Sequence, residues 1–104
     1  MELRKQWLLV VGMLLGPVLA VAADELALAQ AKNCLDCHAV NQAVVGPAFK
    51  DIAVQYAGQS GMVEKLAHTI IHGGPTDQMD SMPANPQVSE AEARQLAAWI
   101  LGLK

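Results

Sequence analysis

Aromatic and basic residues are both scarce in this 104-residue chain. Aromatic side chains make up 4% of it, and beyond residue 23 they are Phe49, Tyr56 and Trp99 alone. A small domain with so little bulky apolar surface needs a staple or a cofactor to offset its chain entropy. Lysine and arginine number seven against ten acidic residues. That leaves no basic face of the kind nucleic-acid binding requires. There is no third cysteine beside Cys34 and Cys37, which excludes a cysteine-built zinc site and a multi-disulfide framework. Alternating strand and helix patterns are missing, as are internal repeats and low-complexity segments.

The first 23 residues read as a leader rather than as part of the fold. Arg4 and Lys5 precede an apolar run, Trp7 to Val21, broken by Gly12, Gly16 and Pro17. Ala20-Val21-Ala22 then has the small-x-small form of a cleavage site. The run is short and no charged stop-transfer flank follows, so a Sec-type signal peptide cleaved after Ala22 or Ala23 is expected, with an uncleaved membrane anchor as the alternative. One domain, residues 24–104, remains. Without Glu2, Arg4 and Lys5 it holds five basic and nine acidic residues, a net charge near −4.

Cys34-Leu35-Asp36-Cys37-His38 is the stretch that carries chemistry. C-x-x-C-H is the attachment motif of c-type haem. Two thiols three residues apart can each form a thioether to a vinyl group on one porphyrin edge, and the adjacent histidine is then held beneath the iron as proximal ligand. A redox dithiol would open a helix after a strand in a βαβ pattern, which is missing. A zinc site would need two further ligands at zinc-like spacing. A plain disulfide is the remaining competitor in an exported protein.

Helical patterning surrounds this motif. Asp24 to Asn33 predicts a first helix, capped by Asp24, with Ala27, Ala29 and Ala31 permitting close packing. A short loop leads to Gly46-Pro47 and a helix over Ala48 to Tyr56. Pro47 suits the first turn of that helix, because it lacks only an N–H that would be unpaired there. Its carbonyl is also a candidate acceptor for the His38 Nδ1–H, which would fix the ring. The two roles are compatible, and spacing alone does not prove the second. Ser60 to His72 predicts a third helix, capped by Ser60 and stopped by Gly73-Gly74, with Val63, Leu66, Ala67, Ile70 and Ile71 as its apolar stripe. His68 and His72 lie one turn apart and read as surface histidines, Glu64 being the sole nearby carboxylate. Ser89-Glu90-Ala91-Glu92 is a capping box that opens a last helix to Leu103, with Ala93, Leu96, Ile100 and Leu103 on one face and Trp99 beside it.

Between these helices, Pro75, Pro83 and Pro86 break the segment Pro75 to Val88. Loops of this length in a compact domain are usually functional, and this one holds Met79 and Met82. Spacing from His38 leaves the two methionines open as iron ligands. Pro83 biases Met82 towards an extended backbone.

Taken together, the leader, the single C-x-x-C-H, Gly46-Pro47-Ala48-Phe49-Lys50, the Met-Pro loop and the terminal Ala98-Trp99-Ile100 resemble the short bacterial class I cytochromes c of the c-551 group. The resemblance covers essentially the whole domain. It implies an all-α, four-helix class I cytochrome c fold wrapped around one covalent haem c with its iron. It further implies axial ligation by His38 and a methionine, with Met82-Pro83-Ala84-Asn85-Pro86 matching the ligand-bearing stretch. A soluble, periplasmic, monomeric electron carrier follows, with both axial positions filled and no enzymatic bond chemistry. The chain departs from that group in lacking a tryptophan in the stretch Gly74 to Ser81 before the ligand methionine, where His72, Thr69 or Gln78 are candidates to bind the haem propionates.

The expected partners are transient redox proteins: a terminal oxidase, a nitrite reductase or a quinol-oxidising complex. Docking is expected at a mainly apolar haem edge bordered by Val44, Val45, Ala84 and Asn85. The competing reading is a haem enzyme or gas sensor with an open sixth position, which would need a distal acid–base group such as His68 or His72 near the iron.

Overall fold

The computed structural model describes residues 24–75 and 81–104. Residues 1–23, and with them the expectation of a cleaved leader, lie outside the described residues, as do Met79 and Gln78. Among the described residues, four α-helices account for most of the regular structure: α1 over residues 24–31, α2 (Phe49–Gln55), α3 (Met62–His72) and α4 (Glu90–Leu101). Among the described residues there is no strand, only one isolated bridge between His38 and Ala43. The all-α class expected from the sequence is the one found.

The core forms where α3 and α4 cross, with α2 and α1 laid against α4. Its shared cluster is Ala29, Ala67, Ile70, Val88, Ala93, Leu96 and Ala97. Ala29, Ala93 and Ala97 are completely buried, and methyl groups at these positions let the α1 and α4 backbones approach closely. Leu96 is the largest side chain enclosed on all sides, a burial that stabilises by about 1.5–3 kcal/mol. Beside it the Glu25 carboxylate, buried at the α1–α4 contact, accepts a bond from Gln95 Nε2 at 3.3 Å.

The helix ends differ from the sequence expectation in places. Asp24 is itself helical, so it does not stand outside α1 as a cap. α1 ends at residue 31, ahead of Asn33, which takes a left-handed backbone with φ 67°. Ser60 does not cap α3; Gly61 flanks it instead, and no side chain bonds the free N–H groups there. Pro47 lies before the extended flanking residue Ala48, so it precedes the first turn of α2 rather than entering it. α4 stops at Leu101, where Gly102 N–H bonds back to the Ala98 carbonyl. Its start agrees with the expectation: Ser89 Oγ accepts from Glu92 N–H at 3.1 Å, and Glu92 Oε1 accepts from Ser89 N–H at 3.0 Å. Such a cap contributes about 1 kcal/mol.

Candidate haem site

The C-x-x-C-H motif is wound as a single tight turn. Residues Cys34–Asp36 form one 3-10 turn directly after the left-handed Asn33. Cys37 N–H and His38 N–H both bond the Cys34 carbonyl, at 3.3 and 3.1 Å. The Cys37 carbonyl in turn accepts from Val45 N–H and Gly46 N–H, at 3.1 and 2.7 Å. Those two bonds fold the following loop back over the histidine. Both thiols are half-buried, and burial pushes the Cys34 thiol above its ordinary value.

The fold-back determines how His38 is held. Its Nδ1 lies 2.7 Å from the Pro47 carbonyl oxygen. A carbonyl only accepts, so the ring proton sits on Nδ1 and Nε2 keeps its lone pair for a metal. Gly46 packs flat on the same ring: a Cβ there would stand 2.6 Å from Cε1 and 3.0 Å from Nδ1. Phe49 stacks against His38 with centroids 5.1 Å apart and 25° between planes, and meets Trp99 edge-on at 5.7 Å. Trp99 therefore packs on the aromatic support of the histidine as well as against the α3–α4 core.

A cavity of about 330 Å³ opens beside this assembly. Cys34, His38 and Met82 all line it, and its walls are mostly Phe49, Ile52, Leu66, Ile70, Leu96 and Ile100. Polar groups enter at Gln55, Tyr56, Thr69 and Ser81. An apolar hollow with a thiol, a pre-oriented imidazole and a thioether on its lining matches the donor set of a covalently bound haem. Of the three residues considered for the propionates, Thr69 lines the cavity and His72 does not. Neither His68 nor His72, the two distal acid–base candidates read from the sequence, lines it. Among the described residues no three of His, Cys, Asp and Glu converge as a closed structural zinc site would require.

Met82 is held by its backbone. Gly74 N–H donates to the Met82 carbonyl at 2.8 Å. Gly73 has φ 87°, and a Cβ there would meet that same carbonyl at 2.9 Å and Ala84 N at 3.0 Å. The glycine pair read from sequence as a helix stop is thus also the seat of the methionine loop. Asn85 closes the other end: its amide Nδ2 donates to the carbonyls of Ile70 at 3.0 Å and Pro83 at 3.2 Å, and its N–H reaches Ile71 O at 3.0 Å. Asn85, one of the residues expected on the docking face, is half-buried and ties the loop to the end of α3. Val44 and Val45 are open to solvent, at 54% and 79% exposure, and Ala84 is exposed.

Gly46, Phe49, Gly73 and Asn85 are the site residues that sequence reasoning assigned to other roles or to none. The Gly46-Pro47 pair was a visible signal for the first. No local pattern marks the others, because each acts on a neighbour brought in by the fold.

Comparison with known proteins bears on this geometry directly. A family model described as cytochrome C oxidase, cbb3-type, subunit III, matches residues 21–100. Cytochrome c-551 of Azotobacter vinelandii is 48% identical over 71 residues, 67% of this chain and 85% of that protein. Cytochrome c-552 of Hydrogenobacter thermophilus is 46% identical over 78 residues, 74% of this chain and 79% of that one. The crystal structure of Nitrosomonas europaea cytochrome c552 superposes with a TM-score of 0.69 at 46% identity, covering 75% of this chain and 98% of that chain. With this sequence similarity, the helical fold and a largely apolar hollow behind a C-x-x-C-H turn, the chain belongs to the class I c-type cytochromes of the c-551 group, which carry one covalently bound haem c.

Proposed function

We infer that this protein is a periplasmic one-electron carrier, held to its haem by Cys34 and Cys37 and ligating the iron through His38 and Met82. The observation that carries this reading is that His38 and Met82 line one apolar cavity, each fixed by a main-chain contact of its own: Nδ1 to Pro47 O, and Gly74 N–H to Met82 O. When bound, the haem supplies a reversible Fe(III)/Fe(II) couple. The residues do the rest. Pro47 keeps the proton on Nδ1, so Nε2 faces a metal as a neutral donor. The Met82 thioether would favour the ferrous state of a bound haem, and the walls formed by Ile52, Leu66, Ile70 and Ile100 would disfavour the added charge of the ferric one. With His38 and Met82 both binding the iron, no coordination position would be left open to a substrate, as a carrier requires. The competing reading, a haem enzyme or gas sensor, would need a distal acid–base group such as His68 or His72 near the iron, and both line a separate cleft.

Export through residues 1–23 would place the domain in the periplasm, acting as a monomer. No described helix is long and apolar enough to cross a membrane. Its partners would be a terminal oxidase, a nitrite reductase or a quinol-oxidising complex, met briefly at the exposed Val44, Val45 and Ala84. Mass spectrometry of protein from cells competent in haem attachment tests the first part. One haem per chain is expected, with the leader gone. Cys34→Ala and Cys37→Ala should each lose one thioether. A fully ligated optical spectrum, unchanged by carbon monoxide, tests the second; a bound gas would overturn the carrier reading.

A further inference from the structure

His68 and His72 remain without a part in this reading. They stand one turn apart on α3, both exposed, with ring centroids 4.4 Å apart and planes tilted by 38°. They share a cleft of about 290 Å³, separate from the haem cavity, with Glu64, Ala67, Ile71, Glu90 and Arg94. Residues four apart on a helix face one another, and this spacing is the one that sets two histidines on a single zinc ion in helical H-x-x-x-H sites. Bonds of about 2.0–2.1 Å from each ring to one ion require nitrogens roughly 3 Å apart. Rings with centroids at 4.4 Å reach that separation by modest torsional adjustment at the surface.

The surrounding charge has the right sign. Arg94 Nε holds both Glu64 oxygens, at 3.0 and 3.2 Å, and its NH2 group lies 3.8 Å from Glu90. Two carboxylates against one guanidinium leave the rim net negative. Imidazole suits zinc, copper and nickel, whereas magnesium and calcium prefer oxygen ligands. We propose that His68 and His72 form a surface site for one divalent ion of the zinc, copper and nickel class, with water filling the remaining positions. The ion would span the last turn of α3, immediately before the glycines that seat the Met82 carbonyl. It would therefore hold the helix end from which the loop departs.

Zn²⁺, which is redox-silent, is the probe, titrated by calorimetry at neutral pH into the haem-loaded protein so that the cysteine thiols do not compete. One ion per chain should bind in the micromolar range and raise the thermal unfolding midpoint. His68→Gln and His72→Gln should each weaken binding by more than about tenfold, since even loss of an outer partner of a metal ligand costs roughly 10–100-fold. Both substitutions lie on an exposed face, so the circular dichroism of the variants should match that of the parent. Absence of binding below millimolar Zn²⁺ would overturn the proposal. So would binding that survives either substitution, because the ion would then not be shared by the pair. Neither outcome bears on the electron-carrier reading, which uses no group of this cleft.

Discussion

Lys32 and Gln87, 55 residues apart, hold each other by reciprocal bonds: Lys32 Nζ donates to the Gln87 carbonyl and Gln87 Nε2 to the Lys32 carbonyl, each at 3.2 Å. Lys32 stands two residues before Cys34 and Gln87 five after Met82. The pair therefore ties the segment that attaches the haem to the segment that carries the sulfur. Gln87 Nε2 also reaches Asn85 Oδ1 at 3.2 Å, and Lys32 Nζ lies 3.4 Å from Glu92 Oε1. The strap is thus continuous with the cap of α4.

Replacing Gln87 with alanine removes two partly exposed hydrogen bonds and should cost about 1 kcal/mol of global stability. The local effect should be larger than the global one. On heating, the weak near-infrared sulfur-to-iron band should fade well before circular dichroism reports unfolding. Coincident loss of both signals would show that the strap does not hold the sulfur.

The choice of sulfur can be checked by the same band. Met82→Ala should abolish it and lower the reduction potential, while Met79→Ala should leave both unchanged. The reverse result would assign the ligand to Met79.

Gly46→Ala places a methyl group 2.6 Å from His38 Cε1, so either the ring or the loop must shift. Overpacking of this kind costs about 1–3 kcal/mol. Because the displaced ring is the one bonded to Pro47 O, the potential should move as well as the denaturation midpoint. A fall in stability with an unaltered potential would show that the loop yields and the ring does not.

The Glu92 carboxyl is held below its ordinary range, first by the Ser89 backbone N–H, with the Ser89 hydroxyl and Lys32 adding to it. A lowered carboxylate binds fewer protons folded than unfolded. Its contribution is therefore present above the unfolded value of about 4.3 and is lost as pH falls through the lower folded one. Glu92→Gln keeps a capping side chain but removes the charge. The stability gap between parent and variant, read from denaturant midpoints, should be present at pH 7 and should close on acidification. A gap independent of pH would place the effect in packing instead.

For docking, Val45→Lys should slow electron exchange with the physiological partner, and the parent rate should change little with added salt. A steep loss of rate with salt would indicate charge steering in place of an apolar contact.

Local patterns determined much of this protein. The C-x-x-C-H turn, the apolar stripe of α3 and the Ser89–Glu92 box each lie within one or two helical turns. Their chemistry and periodicity can therefore be read without knowing what they touch. The haem motif and the helix cores follow from such patterns, and the all-α class from the family resemblance that they carry. The ends were less legible: Ser60 carries a capping side chain, yet Gly61 flanks α3, because the chain must first turn through a left-handed residue. What only the tertiary structure decided are the contacts between distant segments. Gly46 lies on the His38 ring, Gly73 under the Met82 carbonyl, and Lys32 against Gln87. Each depends on a backbone approach that the folded chain creates, and no residue type announces such an approach in advance. The same holds for His68 and His72, whose spacing is plain in the sequence. Only the folded chain sets them apart from the haem, in a cleft with Glu64, Glu90 and Arg94.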